Sequence, residues 1–281
     1  MELLEGKPIA NRLTEEVKTE IETLKTKTGA NPKLVTVHIG DDSASEWYNK
    51  SIKKGCEKVG IDYELFRHPD INIEEAKALI SKLNSDNNIH GILINQPLPK
   101  GFHPIVEMID PLKDIEGVTA QSLGRLLLNE ETHIPCTPLA VMTILDEYNI
   151  ALNGVKVCLI GRSNIVGKPL SILLTQRNAT VTLCHSKTKD LENEIKMADM
   201  VIAAIGKPKY VKKEWVREGT IVIDVGTNYS ESGLVGDVDF DGVKEKASKI
   251  TPVPGGVGGL TNIILLKNCV EAFMRQKQVS I

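Results

Sequence analysis

Paired cysteines are missing: Cys56, Cys136, Cys158, Cys184 and Cys269 are scattered, and no two form a C-x-x-C unit. That spacing argues against a disulfide framework or a zinc site and reads as reduced thiols in the core of a cytoplasmic protein. Long apolar runs are missing too, and the start, Met1-Glu-Leu-Leu-Glu-Gly-Lys7, lacks the basic-then-apolar order of a signal peptide. Nor is there an excess of one charge: 34 Lys and Arg stand against 37 Asp and Glu, a net charge of −3 without long charged blocks. Nucleic acid and membrane surfaces are therefore not expected partners, whereas small molecules are. His38, His68 and His103 do not fall at ligand spacing, so no metal site is expected. Repeats and low-complexity segments are absent, and 281 residues are enough for two modest domains, each with its own core.

What the chain does have is alternation. Ile9, Leu13, Val17, Ile21 and Leu24 recur at helical spacing over residues 8–27, and Thr28-Gly29 ends the pattern. A buried strand follows over 33–39, then Gly40-Asp41-Asp42-Ser43, whose Asp and Ser side chains are expected to cap a helix over 44–59. A strand at 62–67, a helix at 73–83 and a strand at 90–94 complete an α/β pattern with a mostly parallel sheet. Ligands in such sheets bind beyond the carboxyl ends of strands, which directs attention to Gly40-Asp41 and to Asn95-Gln96-Pro97-Leu98-Pro99. The segment Asp110 to Gly117 carries carboxylates at Asp114 and Glu116 and reads, from composition, as a solvated turn.

Thr137 and Pro138 are placed to cap and open a helix joining two domains. Beyond it, Val155-Lys-Val-Cys-Leu-Ile-Gly161 is an apolar strand ending in glycine, followed by Arg162-Ser163-Asn164-Ile165-Val166-Gly167 and a helix over 170–176. This is the strand, turn and helix of a dinucleotide site, in which helix N–H groups meet a pyrophosphate. Ser163 stands where the usual motif has its second glycine, and Gly167 falls one place late. A second strand ends at His185-Ser186-Lys187-Thr188, where an NAD site carries an acidic residue for the ribose. Ser186 and Lys187, with Arg162, suit a 2′-phosphate instead, so NADP is favoured; Asp190 downstream tempers the preference. Further strands are expected at 200–205 and 221–225, with Asp237-Val238-Asp239 continuing the sheet. Residues 251–259 hold Pro252, Pro254 and four glycines, a stiff close-approach loop rather than a flexible linker, and lead into a closing helix. The expected domains are 1–137 completed by 260–281, and 138–259, with a cleft between them.

Several stretches together resemble the methylenetetrahydrofolate dehydrogenase/cyclohydrolase family over nearly the whole chain. They are the Tyr48 helix ending at Gly60-Ile61, Gly91-Ile-Leu-Ile with Pro97-Leu-Pro99, Lys113-Asp114, Gly124-Arg125-Leu126, Pro135-Cys-Thr-Pro138, Gly161-Arg-Ser163 with Val166-Gly167, His185-Ser-Lys-Thr188 and Thr251-Pro-Val-Pro-Gly-Gly-Val-Gly258. The resemblance implies an N-terminal folate domain, a Rossmann-like NADP domain and a homodimer formed through the latter. It implies hydride transfer from methylenetetrahydrofolate to NADP, which many members follow by hydrolysis to formyltetrahydrofolate. Tyr48 would pack on the folate, Asp114 would hold the pterin, and Pro254, Gly255 and Gly256 would line the cleft. Arg162, Ser163 and Ser186 would hold cofactor phosphates.

The chain departs from the family where that hydrolysis is done. The family's catalytic lysine, four residues after the tyrosine, is Ile52 here; its catalytic glutamine is Asn95; its Phe-His-Pro is Val118-Thr119-Ala120. Ile52 carries no proton, so the expectation is a dehydrogenase whose cyclohydrolase step is weak or lost. The alternatives are a bifunctional enzyme using Lys53 or a water, and a non-catalytic folate- or nucleotide-binding paralogue.

Overall fold

The structure, a computed structural model, describes residues 1–41, 43–230 and 233–280. In chain order it runs β1 (Glu2–Leu3), α1 (Gly6–Thr28), β2 (Lys33–Ile39), α2 (Ser43–Val59), β3 (Asp62–His68), α3 (Ile73–Ser85), β4 (Gly91–Ile94), a 3-10 turn (His103–Met108), α4 (Ala120–Leu127) and α5 (Cys136–Glu147). It continues through β5 (Lys156–Ile160), α6 (Gly167–Gln176), β6 (Thr180–Cys184), α7 (Leu191–Lys196), β7 (Met200–Ala203), a 3-10 turn (Lys213–Trp215), β8 (Ile221–Asp224), β9 (Asn228–Ser230), β10 (Gly233–Val235), α8 (Phe240–Val243), β11 (Lys249–Ile250) and α9 (Gly258–Lys277). Capping by Asp42, and by the side chain of Ser43, falls outside the described residues.

Chain contacts form two compact units: Met1–Asn11 with Pro135–Thr261, and Arg12–Ile134 with Asn262–Ile281. In the second, β2 lies between β3 and β4, all parallel. Val35, Val37 and Ile39 point to one face of β2 and pack with Ala76, Ile80 and Leu83 of α3. Thr36 and His38 alternate onto the other face, as a strand's period of two requires. α9 belongs to this unit from Asn262: a Cβ on Gly55 of α2 would stand 3.0 Å from Leu266, and Asn268 donates to the Ile115 carbonyl at 2.8 Å.

The other unit is a six-stranded sheet in the order β1-β11-β8-β7-β5-β6, parallel throughout. The two-residue strand β1, too short to show a period in sequence, joins its edge beside β11. β9 and β10 pair as a separate antiparallel hairpin. Two local expectations are corrected. Asp237-Val238-Asp239 adds no strand to the sheet, making only an isolated bridge from Val238 to Val211, because Asp237 is committed to a loop. α5 begins at Cys136 with Pro135 as its cap residue, so Thr137 does not cap it; Pro138 is tolerated inside the first turn, where N–H groups have no helical partner.

Candidate functional site

In the Met1–Asn11 and Pro135–Thr261 unit the strand order reverses at β5, with β6 on one side and β7 on the other. A doubly wound sheet opens its ligand crevice there, beyond the carboxyl ends of the strands. Gly161 ends β5 at φ +123°, and a Cβ on it would lie 2.1 Å from the Ala204 carbonyl oxygen after β7. A Cβ on Gly167 would lie 1.9 Å from the Gly161 oxygen. The late glycine therefore seats the start of α6 against the turn, the packing role of the last glycine in the usual motif. Arg162 and Ser163 are exposed between them and Val166 is half-buried; the Ser163 hydroxyl accepts from the Val166 N–H at 3.2 Å. At the end of β6 the His185 N–H donates to Thr188 Oγ1 at 2.8 Å and the Lys187 N–H to His185 Nδ1 at 3.1 Å, leaving the Ser186 and Lys187 side chains in solvent. Asp190 is turned to its own helix, accepting from the Asn193 N–H at 3.4 Å.

Sequence reasoning missed two carboxylates in this unit. Asp237, with no exposed surface, accepts the backbone N–H groups of Ile205, Gly206 and Lys207 at 2.5, 3.0 and 2.8 Å, and the Asn228 amide at 2.9 Å. It thereby shapes the loop after β7. Asp224, at the end of β8, accepts from the N–H groups of Gly226, Asp237 and Val238 at 3.0, 2.9 and 2.9 Å. Burial pushes its pKa up to about 6, against the pull of those hydrogen bonds. The sequence signal was the glycine beside each carboxyl: a Cβ on Gly226 or Gly236 would collide with Asp237 or Asp224. The 251–259 loop is tied down as well. The Gly255 carbonyl accepts from the N–H groups of Gly6 and Lys7, Gly256 is buried, and Pro254 is exposed.

In the Arg12–Ile134 and Asn262–Ile281 unit, α2 sets Tyr48, half-buried, above a buried row of Ile52, Cys56 and Val59, which are 1%, 0% and 2% exposed. Lys53 points elsewhere. It is an exposed side chain 3.9 Å from Glu57, in a groove with Asn31, Asp62 and Tyr63 at the amino ends of β2 and β3. The geometry thus removes Lys53 as a stand-in for the family lysine, since the ligand end of a parallel sheet is the opposite one. Asn95, just past β4, is buried and its N–H donates to the Val37 carbonyl at 3.0 Å, while Gln96 is exposed.

The acidic segment is not a solvated turn. Lys113 is buried, its ammonium donating to the Leu83, Asn84 and Asp86 carbonyls that end α3. Asp114 has no exposed surface and accepts from the Val118 and Thr119 N–H groups and the Ser122 hydroxyl at 3.2, 2.9 and 2.7 Å. A carboxylate so enclosed shapes the entry to α4 and offers nothing to a ligand. Glu116, half-buried, makes no hydrogen bond among the described residues, and burial, then the neighbouring Asp114, raises its pKa to about 8. It is the carboxyl of this segment with bonding capacity left. No group of described His, Cys, Asp and Glu side chains is placed to hold a metal ion.

Comparison with known proteins bears on both units. Residues 4–116 match the model of the tetrahydrofolate dehydrogenase/cyclohydrolase catalytic domain, and residues 135–277 match that of its NAD(P)-binding domain. The bifunctional protein FolD of Maridesulfovibrio salexigens is 46% identical over 280 residues, covering 97% of this chain and 98% of that one. Among solved structures, the bifunctional FolD dehydrogenase/cyclohydrolase of Campylobacter jejuni superposes with a TM-score of 0.95 at 43% identity, over 98% of this chain and 99% of that one. FolD of Trypanosoma brucei, solved with NADP and an inhibitor, gives 0.93 at 32% identity over 99% and 98%. Their two-domain α/β fold is the fold described above. With family models matching residues 4–116 and 135–277 and relatives matching over nearly the whole length, the chain belongs to the tetrahydrofolate dehydrogenase/cyclohydrolase family.

Proposed function

We propose that this chain oxidises 5,10-methylenetetrahydrofolate to the methenyl form with NADP, in one-carbon metabolism, and that its hydrolytic step to 10-formyltetrahydrofolate is weak. The observation that carries the reading is the β5–α6 turn, two glycines with no room for a Cβ, together with exposed Arg162, Ser163, Ser186 and Lys187 and an Asp190 that accepts from the Asn193 N–H. NADP, when bound, supplies the hydride acceptor. Arg162, Ser163, Ser186 and Lys187 hold its phosphates, and the N-terminus of α6, with Gly161, Val166 and Gly167, lets backbone approach them. Asp190, which tempers the preference over NAD, is engaged in capping α7.

On the folate side, Tyr48 offers a half-buried ring for stacking, Glu116 in place of Asp114 meets the pterin, and Asn95 serves the reacting end. Hydride loss leaves a cation on the folate, so no group need give up a proton for that step and Ile52 is no obstacle to it. Hydrolysis is different: water must be deprotonated, and a side chain 1% exposed and aliphatic cannot do it. Of the expected domains, 1–137 with 260–281 holds folate, apart from the 1–11 segment that joins the other unit, and 138–259 holds the nucleotide, in a cytoplasmic homodimer paired through the nucleotide domain.

The test is a time course with methylenetetrahydrofolate and NADP, following NADPH and methenyl product separately against an enzyme-free control. The expected result is NADPH with transient methenyl accumulation. Binding of both ligands without NADPH would instead mark a non-catalytic paralogue, and methenyl that never accumulates would show an efficient second step.

A further inference from the structure

His38 occupies an unusual place. It stands near the carboxyl end of β2, the central strand, on the face that α3 does not cover. Its partner on β3 is Arg67, which is ion-paired to Asp41 and Glu46. On the other side Val37 pairs with Ile94, so the next position on each strand is His38 and Asn95. From α2, Asn49 and Ile52 are one turn apart and lie on one buried face of the helix. His38, Asn49 and Asn95 are 1%, 3% and 5% exposed. Both ring nitrogens of His38, both ends of the Asn49 amide and Asn95 Oδ1 have no hydrogen-bond partner among the described residues.

Buried polar atoms are left unpaired at a cost, and a cluster of them at the ligand end of a sheet marks a site built for a small polar guest. A neutral imidazole presents one donor and one acceptor, and the two amides present both kinds, which is the complement of a water molecule. His38 and Asn95 are register neighbours on adjacent strands, Arg67 beside His38 is ion-paired to Glu46 of α2, and Asn49 on the same helix lies one turn from the position where the family's ammonium is replaced by Ile52.

We propose that His38 supplies, from the strand, the proton acceptor that the helix lacks at position 52, and that the hydrolysis this chain retains uses a water held by His38, Asn49 and Asn95. The inference rests on the folate-enzyme reading above. The water oxygen bonds to the methenyl carbon as one of its protons passes to the imidazole. When the bond from that carbon to N5 breaks, N5 takes this proton, the second water proton leaves to solvent, and a formyl carbonyl remains on N10. No electrons are transferred.

The experiment uses the full chain and supplies methenyltetrahydrofolate directly, so that hydrolysis is read without the oxidation step, with NADPH formation from methylenetetrahydrofolate measured alongside. The wild type is expected to hydrolyse above the spontaneous rate. His38→Gln, which keeps hydrogen bonding but cannot carry a proton at neutral pH, should lose that excess by about a hundredfold while kcat and KM for NADPH formation stay within about twofold. Adding Ile52→Lys to His38→Gln should return hydrolysis, which a merely structural role for His38 would not allow. Wild-type hydrolysis at the spontaneous rate, a His38→Gln variant that hydrolyses normally, or a proportional loss of both activities would overturn the proposal. Absence of NADPH with His38-dependent hydrolysis intact would instead refute the dehydrogenase reading and leave this one standing.

Discussion

Asp237 holds three successive backbone N–H groups, a nest that anions usually fill, and so fixes the loop after β7 where the crevice opens. Asp237→Asn replaces one acceptor oxygen with a donor facing donors. It should raise KM for NADP about tenfold, the scale of losing a buried charged hydrogen bond, with KM for folate unchanged in steady-state kinetics. Glu116 makes a prediction about pH. Its folded pKa, about 8, lies above its ordinary 4.5, so the folded state holds the proton more tightly than the unfolded one. The stability this gives is complete below about 4.5 and is lost as pH rises through 8. His90 and His133, driven down to about 4 chiefly by burial, act in the opposite sense, costing stability only as pH falls below 6.5. Asp224, raised to about 6, has finished its own decline by then. Between pH 6.5 and 8 the slope therefore belongs mainly to Glu116, a fall of up to about 2 kcal/mol. Urea unfolding across that range should show it in the wild type and a flatter profile in Glu116→Gln.

At the scale of elements, the β5–α6 turn works because backbone touches backbone. Gly167→Ala would place a methyl carbon 1.9 Å from the Gly161 oxygen, which is backbone and cannot swing aside. NADP binding should be lost in calorimetric titration, while protease resistance of the Arg12–Ile134 unit, which does not contain the turn, should persist. Helix α2 is held by its apolar row. Ile52→Ala opens a cavity beneath it and should cost about 2–5 kcal/mol in chemical unfolding, because Ile52 is part of the core.

At the scale of the molecule, each unit is assembled from two separate stretches of the chain. Met1–Asn11 joins Pro135–Thr261 through β1, the Leu4 N–H donating to the Ile250 carbonyl at 2.9 Å with the Leu4 side chain fully buried. Leu4→Ala should destabilise the nucleotide-binding unit by about 2–5 kcal/mol in thermal or urea unfolding, and saturating NADP should recover part of that loss by mass action.

Much of this was legible in sequence because it is local. The helix of Ile9 to Leu24, the strand over 33–39 and the alternation that implied parallel sheets follow from periodicity, and Gly161 and Gly167 announced a close backbone approach before any neighbour was known. Ile52 by itself said that position 52 of α2 carries no amine. What required the tertiary structure was the state of each polar group. Asp114 and Glu116 look alike in sequence, yet donors arriving from Val118, Thr119 and Ser122 enclose one and leave the other open. Asp237 read as a strand residue until the loop at 205–207 closed on it, and His38 read as an ordinary histidine until folding buried it with both ring nitrogens unpartnered among the described residues. Periodicity and backbone freedom are properties of a residue and its near neighbours. Desolvation and hydrogen-bond satisfaction depend on groups that only folding brings together, and so the chemistry of these sites was decided by the tertiary structure.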